Sequence, residues 1–290
     1  MALRPRQWTK NVFVLAALVL TGKLGQPDDT MAAAAAFVLF CAVSSAVYLV
    51  NDLVDVRQDR LHPVKRHRPL AAGELQPAAA AWSAALLALI GLVGGFMVNT
   101  LLGWVIVAYL LLQVSYTVVL KHMVILEVLA IAGGFVLRVL AGGAAIDSPI
   151  SPYLYLSVIF LALFQGFSKR RHELWVLAEA AGDHRPSLCE YTMELLDHFI
   201  VIAATATIVT YSLYAIESPA RPPGISANML LLTIPFVLYA VFRYLYLVHV
   251  QGEGGTPEDM LLSDAPLLLD VLAWAASLLV ILYLLPRLLG

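Results

Sequence analysis

The sequence predicts an all-α, polytopic integral membrane protein: a bundle of nine transmembrane helices in a single domain over residues 1–290. Three observations lead there. The first is composition: 61% of the 290 residues are hydrophobic and 13% are charged, against roughly 45–50% and about 25% in soluble domains. Mean hydropathy is +0.83. A soluble chain of this size needs more polar surface than that. The second is nine apolar runs, most close to the ~20 residues that cross a bilayer as a helix. The third is a one-sided distribution of basic residues. Together these exclude a cytosolic globule, a disordered chain, a coiled coil and a nucleic-acid-binding module with a broad basic face.

The runs lie near 11–26, 31–50, 78–98, 101–120, 123–142, 152–168, 195–216, 228–249 and 266–285. Span one is interrupted by Lys23 and Gly25, so it is tilted or only partly inserted. Span two ends on the acidic stretch that begins at Asn51. Span four closes on Tyr116 and Lys121, and span five carries Glu127 and Arg138. Span six leads into a basic stretch from Lys169. Asp197 and His198 open span seven as interfacial residues, and Arg243 lies within span eight. Runs this long and numerous do not fit strands of a soluble parallel sheet. Cys41 and Cys189 form no CxxC or Cys/His cluster, so neither a disulfide framework nor a zinc site is indicated.

Thirteen basic residues fall on one side of this plan: Arg4, Arg6, Lys10, Arg57, Arg60, Lys65, Arg66, Arg68, Lys121, Lys169, Arg170, Arg171 and Arg185. Three fall on the other: Lys23, Arg221 and Arg287. The positive-inside rule places the richer side, with the N-terminus, in the cytoplasm of a cell-membrane protein. The long polar connections, near 51–77 and 169–194, share that side. A cavity open to the cytoplasm is the consequence. The acidic connection from Gly252 to Asp264 reads as a solvated loop.

Span two ends Asn51-Asp52-Leu53-Val54-Asp55-Val56-Arg57-Gln58-Asp59. On a continuous helix at 100° per residue, Asp52, Asp55 and Asp59 fall within about 60° of one another. Carboxylates on one face repel unless a cation holds them. Hard oxygen ligands at this spacing suit Mg2+, which takes a few carboxylates and completes its shell with water and substrate phosphates. Arg60, His62, Lys65, Arg66, His67 and Arg68 follow directly. Carboxylates for a metal, then cations for phosphate oxygens, make a diphosphate-binding pattern. The competing readings are a solvated helix end and a basic loop that only sets orientation; Arg57 and Arg66 fit the latter.

This stretch resembles the first motif, NDxxDxxxD, of the UbiA superfamily of intramembrane prenyltransferases. Arg60-Leu61-His62-Pro63-Val64-Lys65-Arg66-His67-Arg68-Pro69 is close to that family's continuation, and the nine-span plan matches too. The resemblance implies a UbiA-like helical bundle with a cytoplasm-facing cavity. It implies Mg2+ on Asn51, Asp52, Asp55 and Asp59.

After span six most of that superfamily carries DxxxD, whereas this chain reads Phe167-Ser168-Lys169-Arg170-Arg171-His172-Glu173. Lys169 stands in place of the first aspartate and Glu173 in place of the second. A charged lysine cannot ligate Mg2+ but binds a phosphate oxygen. The alternative is an i, i+4 Lys–Glu pair worth a few tenths of a kcal/mol. This departure, with Arg4-Pro5-Arg6-Gln7-Trp8-Thr9-Lys10-Asn11, resembles the polyprenyl-phosphate (decaprenyl-phosphate) phosphoribosyltransferase branch. That branch moves 5-phosphoribose from phosphoribosyl diphosphate (PRPP) to a polyprenyl phosphate in arabinan synthesis for the cell envelope. The resemblance implies catalytic roles for Asp55, Asp59 and Lys169. It implies substrate contacts from Arg4, Gln7, Lys10, Arg60, Lys65 and Arg68, and from Lys121, Arg138, Lys169, Arg170 and Glu173.

Extra cations agree with a donor and acceptor that together carry several phosphates. Lys121 also fits a snorkelling interfacial lysine. Arg138 and Glu127 are separated by roughly 16 Å along one helix and cannot pair; a structural role for Arg138 stands beside the functional one. Two other functions compete. A prenyltransferase using a prenyl diphosphate and an aromatic acceptor predicts a second aspartate pair, which Lys169 replaces. A transporter of lipid-phosphate or anionic cargo predicts repeats and midplane charges. The implied partners are PRPP, polyprenyl phosphate and the lipid bilayer, with no nucleic acid; the motifs are compatible with a homo-oligomer.

Overall fold

The computed structural model describes residues 2–61, 65–179, 188, 190–217, 227–252 and 254–289. His62, Arg185, Cys189, Arg221 and Glu253 lie outside the described residues. From the N-terminus, a 3-10 segment, Pro5–Leu15, runs into the short helix α1 (Ala16–Leu20). Then come α2 (Pro27–Val54) and α3 (Val56–Leu61). A 3-10 turn at Lys65–His67 precedes α4 (Pro77–Val98) and α5 (Thr100–Val118). A second turn, Leu120–His122, precedes α6 (Leu126–Ala145) and α7 (Pro152–Glu179). The remaining helices are α8 (Met193–Glu217), α9 (Ile234–His249), α10 (Pro257–Ser263), α11 (Ala265–Leu279) and α12 (Leu285–Leu289).

Every regular element among the described residues is therefore helical. In hydrocarbon each backbone N–H and C=O must find its partner within the segment, which a helix provides. The ends are marked by local chemistry. Proline opens α2, α4 and α9, where its missing N–H leaves no helical bond unmade. Asn99 caps α5 by accepting from the Leu101 N–H at 2.8 Å, and Asp264 caps α11 by accepting from the Leu267 N–H at 2.8 Å.

Among the described residues seven helices are long and apolar enough to cross a bilayer: α2, α4, α5, α6, α8, Met229–His249 and Ala265–Leu288. The protein is a multi-pass membrane protein, but the expected nine spans are not reproduced. The segment 11–26 is one difference: it is 3-10 helix to Leu15, α-helix only over Ala16–Leu20, and turn from there to residue 26. Trp8 and Asn11 turn polar groups onto α2 instead: Trp8 Nε1 donates to Ser45 Oγ at 3.1 Å and Asn11 Nδ2 to Ser44 Oγ at 3.1 Å. The other is 152–168, which lies within one 28-residue helix, α7, that continues through Lys169 and Glu173. The second polar motif thus stands on a helix rather than in a loop.

By internal contacts the chain falls into two compact units, each described by itself. The first comprises residues 1–18, 23–120 and 137–149. In it α2 packs on α4, α5 and the N-terminal 3-10 segment, around Val14, Phe40, Val43, Leu102, Ile106 and Tyr109. Small residues set these approaches, because apolar side chains gain nothing from leaving lipid for one another. A Cβ on Gly142 of α6 would fall 1.9 Å from the Val14 carbonyl oxygen. The second unit comprises residues 19–22, 121–136 and 150–290. In it α7 packs on α8, with Phe164, Leu196, Ile200, Tyr244 and Leu247 among the buried residues.

Candidate functional site

In the first unit the acidic motif does not continue as one helix. α2 ends at Val54, Asp55 adopts φ −92°, ψ 4°, and α3 begins at Val56. The backbone ladder still runs through, with Asp55 N–H to Asn51 O and Asp59 N–H to Asp55 O both at 2.9 Å. The single face expected for Asp52, Asp55 and Asp59 is corrected by this break. Asp52 and Asp59 point inward and are buried, while Asp55 is half-buried.

The pairings around them are specific. Arg68 Nη1 lies 3.1 Å from Asp52 Oδ1 and 2.6 Å from Asp59 Oδ2, so one guanidinium nitrogen serves both carboxylates. Arg4 also donates to Asp52 Oδ1 and lies over the Tyr48 ring at 5.1 Å. Arg4 takes a left-handed φ of 48°, which a side chain adopts at a cost; its ion pair and ring contact offset that cost. Asn51 Oδ1 accepts from the Thr117 hydroxyl of α5.

A cavity of about 310 Å³ opens beside this cluster, lined by Ala2, Arg4, Asp52, Lys65, His67, Arg68 and Pro69. Four of these bear basic side chains and one a carboxylate, so the cavity is suited to an anion with several oxygens. The loop 65–75 is folded back to deliver Lys65, His67 and Arg68: the Arg68 N–H bonds Lys65 O at 2.9 Å and the Leu75 N–H bonds Pro69 O at 3.0 Å. Arg60 holds this loop from outside, donating from Nε to Ala71 O at 3.3 Å. Gln7 and Lys10 are half-buried on the N-terminal segment and do not line the cavity.

The donor set suits a hard divalent cation. Asp52 and Asp59 each place an oxygen on a single cationic nitrogen, and Mg2+ ordinarily takes one or two carboxylates with the rest of its shell from water and phosphate. Among the described residues no group of three or more His, Cys, Asp or Glu side chains gathers tightly enough to hold a metal alone.

Arg138, expected to touch substrate, lies in the core of the first unit. It is 5% exposed, donates from Nε to Asn11 Oδ1 at 2.8 Å and from Nη2 to the Tyr109 hydroxyl at 3.0 Å. This bridge ties α6 to the N-terminal segment and α5. Neither Asn11 nor Tyr109 stood out in sequence as a partner for it.

In the second unit α7 presents the other cationic motif. Lys169 and Glu173 are half-buried and Arg170 is buried. Arg170 reaches Glu173 Oε2 through Nη1 at 2.5 Å and faces Glu127 Oε1 through Nε at 3.7 Å. Glu127 of α6 is fully buried. Next to it the Ile125 N–H donates to the Tyr191 hydroxyl at 2.7 Å, at a residue with φ 67°; burial pushes the Tyr191 phenol above its ordinary value. Lys121 is half-buried in the 3-10 turn before Ile125. Arg171 pairs with Asp197 at 2.5 Å, and His249 approaches the same carboxylate at 3.2 Å. Glu127 and Tyr191 were not assigned to the site in sequence; each meets a partner distant along the chain.

Residues 11–252 match the UbiA prenyltransferase family. The chain is 38% identical over 282 residues to the decaprenyl-phosphate phosphoribosyltransferase of Mycobacterium tuberculosis, covering 95% of this chain and 91% of that one. It is 37% identical over 290 residues to the enzyme of the same name from Corynebacterium glutamicum, covering 98% and 86%. Among solved structures it resembles a UbiA homolog from Archaeoglobus fulgidus bound to GPP and Mg2+, with TM-score 0.70, 14% identity and coverage of 96% and 97%. At that identity the likeness concerns the fold.

Proposed function

Because the chain belongs to the UbiA prenyltransferase family, we propose that it transfers 5-phosphoribose from PRPP to a polyprenyl phosphate such as decaprenyl phosphate. Diphosphate is released, and the lipid-linked phosphoribose feeds cell-wall arabinan (arabinogalactan). The observation that carries the reading is the cavity in which Arg4, Lys65, His67 and Arg68 surround Asp52. Its N-terminal arginine belongs to the RPxQWxKN stretch, and near-full-length relatives bear the phosphoribosyltransferase name.

Asn51, Asp52, Asp55 and Asp59 would hold Mg2+, which would supply positive charge to the diphosphate leaving group. The cavity cations hold phosphate oxygens. Lys169 gives a point charge to a further phosphate, in place of an aspartate that would repel it. The C1–O bond to diphosphate breaks with its electron pair on the leaving oxygen. A lipid-phosphate oxygen forms the new bond to C1 from the opposite face, inverting that carbon. A phosphate monoester is ionised near neutral pH, so no strong general base is required. In this reading residues 1–290 act as one transmembrane domain, and the excess of basic residues places the N-terminus and the site on the cytoplasmic side of the cell membrane.

The test is a transfer assay with PRPP labelled in the ribose and a polyprenyl phosphate, in detergent or proteoliposomes. Mg2+-dependent label in the lipid fraction is expected. Its absence, with label moving instead from a prenyl diphosphate to an aromatic acceptor, overturns the donor assignment.

A further inference from the structure

Asp52 and Asp59 carry side chains 5% and 4% exposed, and the same Arg68 nitrogen contacts an oxygen of each. Arg68 itself is 29% exposed and lines the cavity. It therefore has two faces: one toward the buried carboxylates and one toward the space in which an anion would sit. A divalent cation that took either carboxylate oxygen would meet the guanidinium at the same point, and two cations cannot share it without strong repulsion. Arg4 remains on Asp52, so the departure of Arg68 leaves that carboxylate with a partner and Asp59 with the greater need of one.

We propose that Arg68 is an exchangeable counter-ion: it leaves the Asp52–Asp59 pair as the metal arrives and moves onto a phosphate oxygen in the cavity. The inference rests on assigning the first motif to a metal–diphosphate complex, and it adds how that site discriminates. The metal alone displaces Arg68 into a cavity with no anion to receive it, beside Arg4, Lys65 and His67. The metal together with a diphosphate gives Arg68 a new partner. Metal and diphosphate consequently bind with positive coupling, and each raises the other's affinity by the same factor. Arg68 keeps the carboxylates neutralised until both arrive.

The test is Mn2+ binding to the purified full-length protein, read from the electron paramagnetic resonance of free Mn2+, with and without methylenediphosphonate as the diphosphate probe. For the wild-type chain, weak binding alone and at least about tenfold tightening with the probe are expected, within the usual range of coupling between sites. In Arg68→Gln, Mn2+ alone should bind about tenfold tighter, and the probe should add less than about threefold. Arg68→Lys, which keeps a cationic nitrogen but loses the planar fork whose other nitrogens are left for the cavity, should fall between the two and serves if the glutamine variant does not fold. Either variant binding Mn2+ alone no tighter than wild type, with the probe effect intact, overturns the exchange while the metal site stands. Absence of Mn2+ binding in every protein, with or without the probe, overturns the metal-site assignment as well.

Discussion

The Arg170 guanidinium stands 3.7 Å from the Glu127 carboxylate, with side chains 3% and 0% exposed. The same arginine reaches Glu173 at 2.5 Å. Two carboxylates thus occupy Arg170, and Lys169, one residue earlier, is the cation of this motif less enclosed by protein. Arg170 is a positioning residue: it fixes the Glu173 side of α7 against α6.

Removing one member of a buried pair costs about 3–5 kcal/mol, because the other charge stays buried, whereas replacing both with apolar groups is near neutral. Arg170→Met and Glu127→Leu should each lower the thermal midpoint in detergent strongly. The double variant should recover most of the loss. Equal midpoints for the single and double variants would remove the pairing argument.

Lys169→Ala should reduce kcat/KM for PRPP by about 10²–10³-fold, taking the range for deleting one oxyanion-hole donor as the scale for losing one charge-stabilising group. The thermal midpoint should stay within the small range of partly exposed substitutions. Steady-state kinetics beside a melting curve separates the two effects.

Asp55→Ala and Asp59→Ala should abolish turnover in the transfer assay. Asp59→Ala should also release Arg68 from its 2.6 Å partner and weaken the hold on the 65–75 loop. Normal activity in both variants removes the metal-site assignment.

Gly142→Ala puts a methyl 1.9 Å from the Val14 carbonyl. Overpacking of this kind costs about 1–3 kcal/mol. Here the yielding part is the N-terminal segment that carries Arg4. Loss of activity is expected to exceed loss of stability, measurable as a fall in kcat/KM larger than the shift in melting alone explains.

Asp264 caps α11 and pairs with Arg243 at 2.7 Å. The Arg243 hydrogen bond holds its carboxyl below the usual carboxylate range. The folded value lies below the unfolded one of about 3.9, so the folded chain binds this proton more weakly. The stabilisation is complete above the unfolded value and fades as pH falls toward the folded one. Asp264→Asn should flatten the loss of stability below about pH 4, in acid melts run beside wild type.

The helical membrane fold was legible because hydrophobic runs of helix length are a local property. Residues 11–26 misled for the same reason. Hydropathy counts Val12 to Leu20 as apolar but does not register that Trp8 and Asn11 find hydroxyl partners on α2, which holds the segment as a docked 3-10 stretch. At the site, spacing exposed residue types: acids from Asn51 to Asp59, bases from Arg60 to Arg68. Which base meets which acid depends on the path of the 65–75 loop and on the break at Asp55, and neither is periodic. Glu127 and Arg170 were visible as intramembrane charges, but only α6 and α7 side by side make them a pair.

Ala2 lines the cavity wall next to Arg4. Any polypeptide fused directly ahead of it emerges at the mouth of an anion-binding pocket rather than into open solvent. An affinity tag placed there competes for Arg4 and Lys65, most of all if it is acidic. The choice of expression vector is thus a choice about the candidate site, and kinetic values from amino-terminally tagged protein need an untagged control.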